Sequence, residues 1–170
     1  MGVTTGNTLD IVRAVEENRL DLGLVTLPVQ GRSLAVTAVL DEEFVAIHAS
    51  RETEMLTVYT PAELQALPLI AFEAGSGTRD LIDRWFRSAG MAVTPVMQLG
   101  SIEAIKRMVR AGLGYSIVPR MAVEQKEDRC GLTVHSLAPP LYRQLAIVMR
   151  QDKIITKGMT EMLRLLQSAH

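Results

Sequence analysis

One loop in this sequence has residue types and spacing suited to binding an anion. Residues 75–78 follow the apolar run 69–72, and Arg79 opens a segment with helical spacing. A strand that enters a helix through small residues leaves the first helical N–H groups uncovered. Those donors, and the positive end of the helix dipole, favour an anion or a polar ligand oxygen. The ligand contacts expected here are Gly75, Ser76, Gly77, Thr78 and Arg79.

The same loop has a plainer interpretation. Most junctions of this kind are connections, and a Ser or Thr at such a place usually caps the helix. For Arg79, a bidentate contact to a ligand carboxylate competes with a salt bridge to Asp83. Nucleotide motifs are excluded, because Asp80 stands where G-x-G-x-x-G needs its third glycine and no Gly-Lys-Ser/Thr follows for a P-loop.

Other junctions carry small hydroxyl-bearing residues or glycine as well. The turn 6–8 leads into a helix with Asn7 or Thr8 as its N-cap, Thr26 ends a strand, and residues 100–101 open another helix. Ligands of α/β folds bind outside the carboxyl ends of the strands. Converging junctions would form a polar cleft that binds small anions. The further contacts expected are Asn7, Thr8, Thr26, Gly100 and Ser101.

Residue types that commonly carry catalysis or hold metals are scattered along the chain. His48 and His135 fall in predicted strands, His170 is the last residue, and none has a Cys or His partner at ligand spacing. Cys130 stands alone in a charged stretch. There is neither a G-x-S-x-G elbow nor an H-E-x-x-H pair. The sequence therefore predicts no catalytic residue, no metal and no cofactor.

Alternating strand and helix patterns predict an α/β fold with largely parallel sheets. Trp85 and Phe86 are expected in the core, since they recur at helical spacing with other apolar residues. The predicted helices are 9–18, a short one begun by the capping box 60–63, 79–86, one from 102 to the glycines at 112 and 114, and 155–168. The predicted strands are 22–26 (parallel and buried), 34–40 and 44–49 joined at 41–43, 69–72, 95–99, 115–118, 132–135 and 145–149.

Composition places the chain among ordinary soluble globular proteins. Its 170 residues suffice for one large domain or two small lobes, with 48% apolar and 22% charged residues. A net charge of −1 with interspersed signs offers no basic surface for nucleic acid. The single cysteine fits a reducing compartment, and neither a signal peptide nor an apolar run of membrane-spanning length is present. These features predict a cytoplasmic protein without a membrane partner.

Three stretches in order resemble the effector-binding region of LysR-type transcriptional regulators. A helix followed by a strand is written GNTLDIVRAVEENRLDLGLV at 6–25. The segment PAELQALPLIAFEAGSGTRDLIDRWFRSAG at 61–90 is similar to the family's "L-A-D-L-x-x-x-P-L-I" stretch with its Gly/Ser loop and helix. SIEAIKRMVRAGLGYSIVPRMAV at 101–123 resembles a helix ending at Gly-x-Gly and a strand ending at Pro. Together these stretches span most of the chain.

The resemblance implies the C-terminal effector domain of such a regulator, with a type II periplasmic-binding-protein-like fold. Two α/β lobes are joined by two crossover strands, and the effector binds between them. Lobe I is expected at 1–51 plus 145–170, and lobe II at 52–144. The family's effector contacts match Asn7-Thr8, Thr26, Gly75 to Arg79 and Gly100-Ser101. A homodimer is implied, and a tetramer of the full-length regulator, with the helix 9–18 as an interface candidate. The Met-rich last helix is expected to be either core or a subunit contact, since Met suits adaptable interfaces.

Two departures from the family pattern shape these expectations. The winged helix-turn-helix and its linker helix have no counterpart in the sequence, so DNA is expected to be bound only through a domain outside this chain. The match begins at the second strand of lobe I, so the first strand and helix are expected to be missing. We therefore expect an incomplete lobe I in a truncated form of the protein.

The leading hypothesis is an effector-sensing domain that binds a small polar or anionic metabolite, with carboxylates the expected class. It passes the change through the oligomer to a DNA-binding domain and needs no catalytic residue. One alternative is the solute-binding protein of a transporter, which predicts a signal peptide or lipobox. Another is an enzyme on the same fold, such as a dehydratase, which requires a reactive group in the cleft. Thr78, without a nearby base, offers little support for the enzyme.

Overall fold

The computed structural model describes residues 2–31, 33–50 and 56–167. It divides into two compact units, Met1–Asp41 with Arg143–His170 (unit 1) and Glu42–Tyr142 (unit 2). The helices are α1 (Thr8–Glu16), α2 (Pro61–Gln65), α3 (Gly77–Ser88), α4 (Ile102–Arg110), a 3-10 helix (Arg120–Val123), α5 (Lys126–Arg129) and α6 (Lys157–Gln167). The strands are β1 (Gly23–Thr26), β2 (Leu34–Ala49), β3 (Val58–Tyr59), β4 (Ile70–Phe72), β5 (Met97–Leu99), β6 (Ser116–Pro119), β7 (Leu132–Leu137) and β8 (Leu141–Arg150).

Strands β2 and β8 each contribute residues to both units. The division falls after Asp41 and after Tyr142, whereas the sequence placed it after residues 51 and 144. The first difference is the larger one. Residues 44–47 of β2 are fully buried in the apolar core of unit 2, so this half of the strand belongs with that unit.

In unit 1, helix α1 packs against strand β1. Asn7 caps the helix by accepting a hydrogen bond from the Asp10 backbone N–H at 2.9 Å, as one of the two predicted caps. Val12 and Val15 of the helix pack with Val25 and other buried residues. Gly23 permits this close approach, because a Cβ there would lie 2.4 Å from the Ile11 side chain.

Strand β1 pairs antiparallel with β8, with Thr26 opposite Leu145 and Gly23 opposite Val148. The predicted parallel strand was therefore wrong in direction. A short apolar run indicates burial, but it does not indicate which neighbour supplies the hydrogen bonds. Here the neighbour is a strand from the far end of the chain, which no local pattern identifies.

Unit 2 combines parallel and antiparallel pairing around one apolar core. β4 and β5 pair in parallel, as do β3 and β7, whereas β2 pairs antiparallel with both β6 and β7. The parallel pair β4–β5 is connected through α3, as expected for a strand–helix–strand unit. Trp85 and Phe86 are buried in this core, which confirms their predicted role. The α/β class is thus confirmed, with mixed sheets.

Strand β2 is one continuous strand where the sequence predicted two strands joined at 41–43. The three acidic residues of that joint do not form a turn. Asp41 accepts a hydrogen bond from Gln144 at 3.0 Å, and Glu43 forms an ion pair with Arg120. The chain stays extended through the joint, and the carboxylates of Asp41 and Glu43 contact β8 and the 3-10 helix.

Most other predicted elements occur with shifted ends. The capping box Thr60–Glu63 is present, and α3 begins at Gly77 instead of Arg79 because Ser76 caps it. Helix α6 begins at Lys157, and the expected last residue of this helix, 168, lies outside the described residues. The sequence did not predict β3, α5 or the 3-10 helix, because elements this short carry little periodicity.

A buried ammonium ties α4 to the segment that follows β6. Lys106 is 1% exposed, and its Nζ lies 2.7 Å from both Asp128 and Glu103 and 3.0 Å from the Ala122 carbonyl oxygen. Burying a charge is costly unless it is paired and hydrogen-bonded. These contacts meet that requirement and hold α4, the 3-10 helix and α5 together.

Replacement of Gly114 by Ala is expected to destabilise unit 2. A Cβ at this position would lie 2.3 Å from the carbonyl oxygen of Pro68, whose hydrogen bond from the Tyr115 N–H helps join β4 to β6. Overpacking of this kind costs about 1–3 kcal/mol. Urea unfolding followed by circular dichroism measures the loss.

Gly77→Ala is the matched control, because a Cβ at Gly77 has no neighbour within 4 Å and the position lies in the first turn of α3. We expect this variant to remain within about 0.5 kcal/mol of the parent. Equal stability of the two variants would contradict the close approach at Gly114.

Candidate functional site

The loop after β4 is closed by its own hydrogen bonds. Gly75 adopts a φ of +83°, which favours glycine, and Ser76 is the N-cap of α3. The Ser76 hydroxyl accepts from the Arg79 N–H at 3.2 Å and donates to the Glu73 carbonyl oxygen at 2.9 Å. The capping interpretation of this loop is therefore the one that the structure shows.

Arg79 is held by groups within unit 2. Its Nε donates to both carboxylate oxygens of Asp83 at 2.9 and 3.0 Å, and its Nη1 donates to the Phe72 carbonyl and the Gln98 side chain at 3.2 Å each. The side chain is 12% exposed. Arg79 thus forms the salt bridge to Asp83 that competes with a bidentate contact to a ligand carboxylate. The guanidinium links the ends of β4 and β5 to α3.

Pairing of β4 with β5 brings the two predicted loops of unit 2 to the same edge. Phe72 lies opposite Leu99, and the Glu73 N–H donates to the Leu99 carbonyl oxygen at 3.2 Å. Residues 73 and 100 therefore leave the sheet side by side. The loop 75–79 and the pair Gly100-Ser101 therefore both follow strands that end at the same edge of the sheet.

Helix α4 begins differently from α3, the other helix at this edge. Ser101 occupies the N-cap position in an extended conformation but forms no side-chain capping hydrogen bond, unlike Ser76. The first N–H groups of an uncapped helix, together with its dipole, attract negative charge. The start of α4 is therefore the better candidate for contacting an anionic group.

Glu73 is a charged neighbour of this helix start that sequence reasoning did not single out. A Cβ built on Gly100 would lie 3.0 Å from both carboxylate oxygens of Glu73, so the carboxylate lies against Gly100. Its position directly after β4 is the sequence feature that could have identified Glu73 as a neighbour of the site. The carboxylate gives the edge a negative charge, while the positive charge of Arg79 is already paired.

The predicted residues of unit 1 lie at the start of α1 and the end of β1. The Thr26 N–H donates to the Thr8 hydroxyl at 3.4 Å, so the start of α1 and the end of β1 are in contact. Asn7 is engaged by Asp10, to which its amide donates at 2.7 Å. Of these three residues, Thr8 and Thr26 are brought together by the fold, and Asn7 serves the helix cap.

Groups that could carry metal or redox chemistry do not gather at either place. Among the residues that the structure describes, no three His, Cys, Asp or Glu side chains lie close enough to hold a metal ion. His48 and His135 are buried in β2 and β7, as their predicted strand positions require, and Cys130 is exposed. His170 lies outside the described residues. In the described part of the chain, no helix is long and apolar enough to cross a membrane.

Residues 1–170 match the family model described as the LysR substrate binding domain. The HTH-type transcriptional regulator YofA of Bacillus subtilis is 31% identical over 160 residues, covering 93% of this chain and 53% of that protein. YeiE of Escherichia coli K12, an uncharacterized HTH-type transcriptional regulator, is 32% identical over 148 residues, covering 87% and 50%. The chain thus spans about half the length of the curated relatives it matches, which are regulators and not enzymes.

Solved structures show the same fold. The reduced form of OxyR from N. meningitidis has a TM-score of 0.81 at 20% identity, covering 95% of this chain and 78% of that one. The regulatory domain of Synechocystis CcmR in complex with 2-PG has a TM-score of 0.80 at 24% identity, covering 95% and 79%. The effector binding domain of QuiR in complex with shikimate has a TM-score of 0.77 at 17% identity, covering 95% and 77%. From its full-length family match, the chain belongs to the LysR substrate-binding domain family.

Proposed function

We propose that this chain is the effector-sensing domain of a LysR-type transcriptional regulator. The match of all 170 residues to the family model carries this proposal. The relatives are HTH-type regulators of about twice the matched length, so we place DNA binding in a helix-turn-helix outside these residues. The proposed regulator acts in the cytoplasm, as a homodimer or a tetramer of the full-length protein.

The proposed effector is a small polar or anionic metabolite. Two structural neighbours in complex with small molecules, 2-PG and shikimate, support a ligand of this size. In unit 2 we assign its contacts to Gly75, Ser76, Gly77, Thr78, Arg79, Gly100 and Ser101. In unit 1 we assign contacts to Asn7, Thr8 and Thr26.

Contacts at the start of α4 are proposed to recognise the negative charge. Ser101 leaves the helix without a side-chain cap, and Gly100 allows close approach to the backbone. Arg79 contributes by holding β4, β5 and α3 in register, because its guanidinium is engaged by Asp83, Phe72 and Gln98. Affinity for an anion is then set mainly by backbone N–H donors and the helix dipole.

Signal transfer follows from the difference in effector affinity between conformations of the domain. A ligand shifts such an equilibrium only by as much as it prefers one conformation over the other. The shift is passed through the oligomer to the DNA-binding domains. This mechanism requires binding and no bond-making step, in agreement with relatives that are regulators.

The first test combines a thermal-shift panel of small carboxylates, phosphates and sulfate with two substitutions. We expect at least one compound to raise the melting temperature of the parent protein. Ser101→Ala and Thr78→Ala should reduce that increase, because they remove hydroxyls beside the proposed anion position. Ser88→Ala is the matched control, since its hydroxyl donates to the Trp85 carbonyl at the other end of α3.

Either of two results would count against these assignments. If no compound in the panel stabilises the parent, the effector-sensing proposal loses its support. If a compound stabilises all variants equally, including Ser88→Ala, the site is misplaced while the function stands.

Glu73→Gln is expected to increase affinity for inorganic phosphate by about two- to fivefold. The substitution removes a negative charge beside the α4 start, and a charge near a helix terminus contributes roughly 0.3–1 kcal/mol. Isothermal titration calorimetry at low ionic strength measures the change. Asp80→Asn in the first turn of α3 is the control, and an equal gain in both variants would point to general charge reduction.

Self-association is expected at micromolar concentration. Leu9 on α1 and Leu165 on α6 are 79% and 53% exposed. The resemblance makes α1 an interface candidate, and the methionines of α6 make that helix another. Sedimentation velocity over a concentration series should show a dimer. A strictly monomeric protein at all concentrations would contradict this proposal.

A further inference from the structure

Four aromatic side chains with polar atoms form a row across the sheet of unit 2. His48 stacks on Tyr59 and Tyr115, with ring centroids 4.8 and 5.6 Å apart. His135 meets both His48 and Tyr59 edge-on at 5.3 Å. These four residues, the His–Tyr row, come from β2, β3, β7 and the residue before β6.

Strand register places the row on one face of the sheet. His135 lies opposite Ala46, two positions from His48, and side chains two positions apart share a face. Tyr59 lies opposite Leu137 in parallel pairing, two positions from His135. Ser116 lies opposite Ile47 and therefore points to the other face.

The row is buried and polar at the same time. His48 and His135 are each 8% exposed, and Tyr115 is 1% exposed. The Nε2 atoms of both histidines and the Tyr115 hydroxyl have no hydrogen-bond partner among the residues that the structure describes. An imidazole in such surroundings is tolerated when neutral, but a proton on it adds a charge that has no compensating partner.

Within the described part of the chain, the rings that contact His48 come from three other aromatic residues. They are His135 from β7, Tyr59 from β3 and Tyr115 from the segment before β6. On α4, which also packs against β6 and β7, the ammonium of Lys106 is already paired with Asp128 and Glu103. Among the described residues, the ring contacts of the row therefore include no carboxylate.

We propose that the His–Tyr row makes unit 2 acid-sensitive: protonation of His48 or His135 introduces an unpaired charge into the buried row and destabilises the unit. The row contains none of the residues assigned to the effector. It gives the domain a response to pH that requires no ligand.

The direction of the titration supports this proposal. Burial, with the nearby His135, lowers the pKa of His48 from 6.5 to about 4. Burial also lowers the pKa of His135, against a hydrogen bond to the Leu56 backbone that raises it. The unfolded chain takes up these protons below about pH 6.5 and the folded chain does not, so stability is present above that pH and is lost as pH falls towards 4.

The test compares urea unfolding at about pH 7.5 and about pH 5. For His48 alone, linkage predicts that the unfolding constant rises roughly 30-fold between these values. Trp85 is the single tryptophan and is buried in unit 2, so its fluorescence reports this unit. The double variant His48→Val with His135→Val should lose this part of the pH dependence.

Ser116→Ala is the matched control, because it removes a buried polar group that has no hydrogen-bond partner and does not titrate in this range. Its unfolding constant should follow the pH dependence of the parent protein. Parallel pH profiles of the parent and the double histidine variant would overturn the proposal.

A second measurement decides the matter if the histidine variants fail to fold. Nitrogen-15 NMR of the parent protein follows each imidazole through pH, with the urea-unfolded chain as reference. We expect His48 to remain neutral down to about pH 5 in the folded protein. Titration of both buried imidazoles near their unfolded values would overturn the proposal.

Discussion

Parallel pairing between β4 and β5 determines where the candidate effector loops of unit 2 lie. Because Phe72 is opposite Leu99, the chain leaves the two strands at neighbouring points and enters α3 and α4 from the same edge. Arg79 reinforces this arrangement by donating to the end of β4, to Gln98 of β5 and to Asp83 of its own helix. A shift of one residue in this register would separate the two helix starts and misplace every contact assigned to unit 2.

The polar groups at this edge have different roles in holding the fold and in the proposed recognition of an anion. Arg79 has the side chain best suited to a carboxylate, yet its donors are taken up by the protein, so its contribution is to position the loop. Ser76 likewise satisfies the start of α3, whereas Ser101 does not cap α4. We therefore propose that backbone donors recognise the anion and that the carboxylate of Glu73 opposes its binding. Backbone donors fixed at a helix start require little reorganisation on binding, which suits a sensor.

Unit 2 also shows two ways of burying ionisable groups. Lys106 remains charged, because Asp128, Glu103 and a carbonyl oxygen surround its ammonium. In the described residues, the Nε2 atoms of His48 and His135 have no such partner, and burial lowers the pKa of both imidazoles. Lys106 keeps its charge in moderate acid, whereas we propose that protonation of the histidines destabilises unit 2. Burial lowers the pKa of each of these groups, but for Lys106 the carboxylates of Asp128 and Glu103 outweigh it.

Local patterns in the sequence determined the longer helices to within a few residues, the caps at Asn7 and Thr60 and the core position of Trp85, because periodicity and capping act over a few residues. The order of motifs also determined the family, which the full-length match confirms. Only the tertiary structure decided that β1 runs antiparallel to β8, that β2 continues through its acidic residues, and that Arg79 is paired. Each of these depends on a partner distant in the chain or on the burial of a side chain. The His–Tyr row belongs to the same class, since four separate strand segments must pair before its members meet.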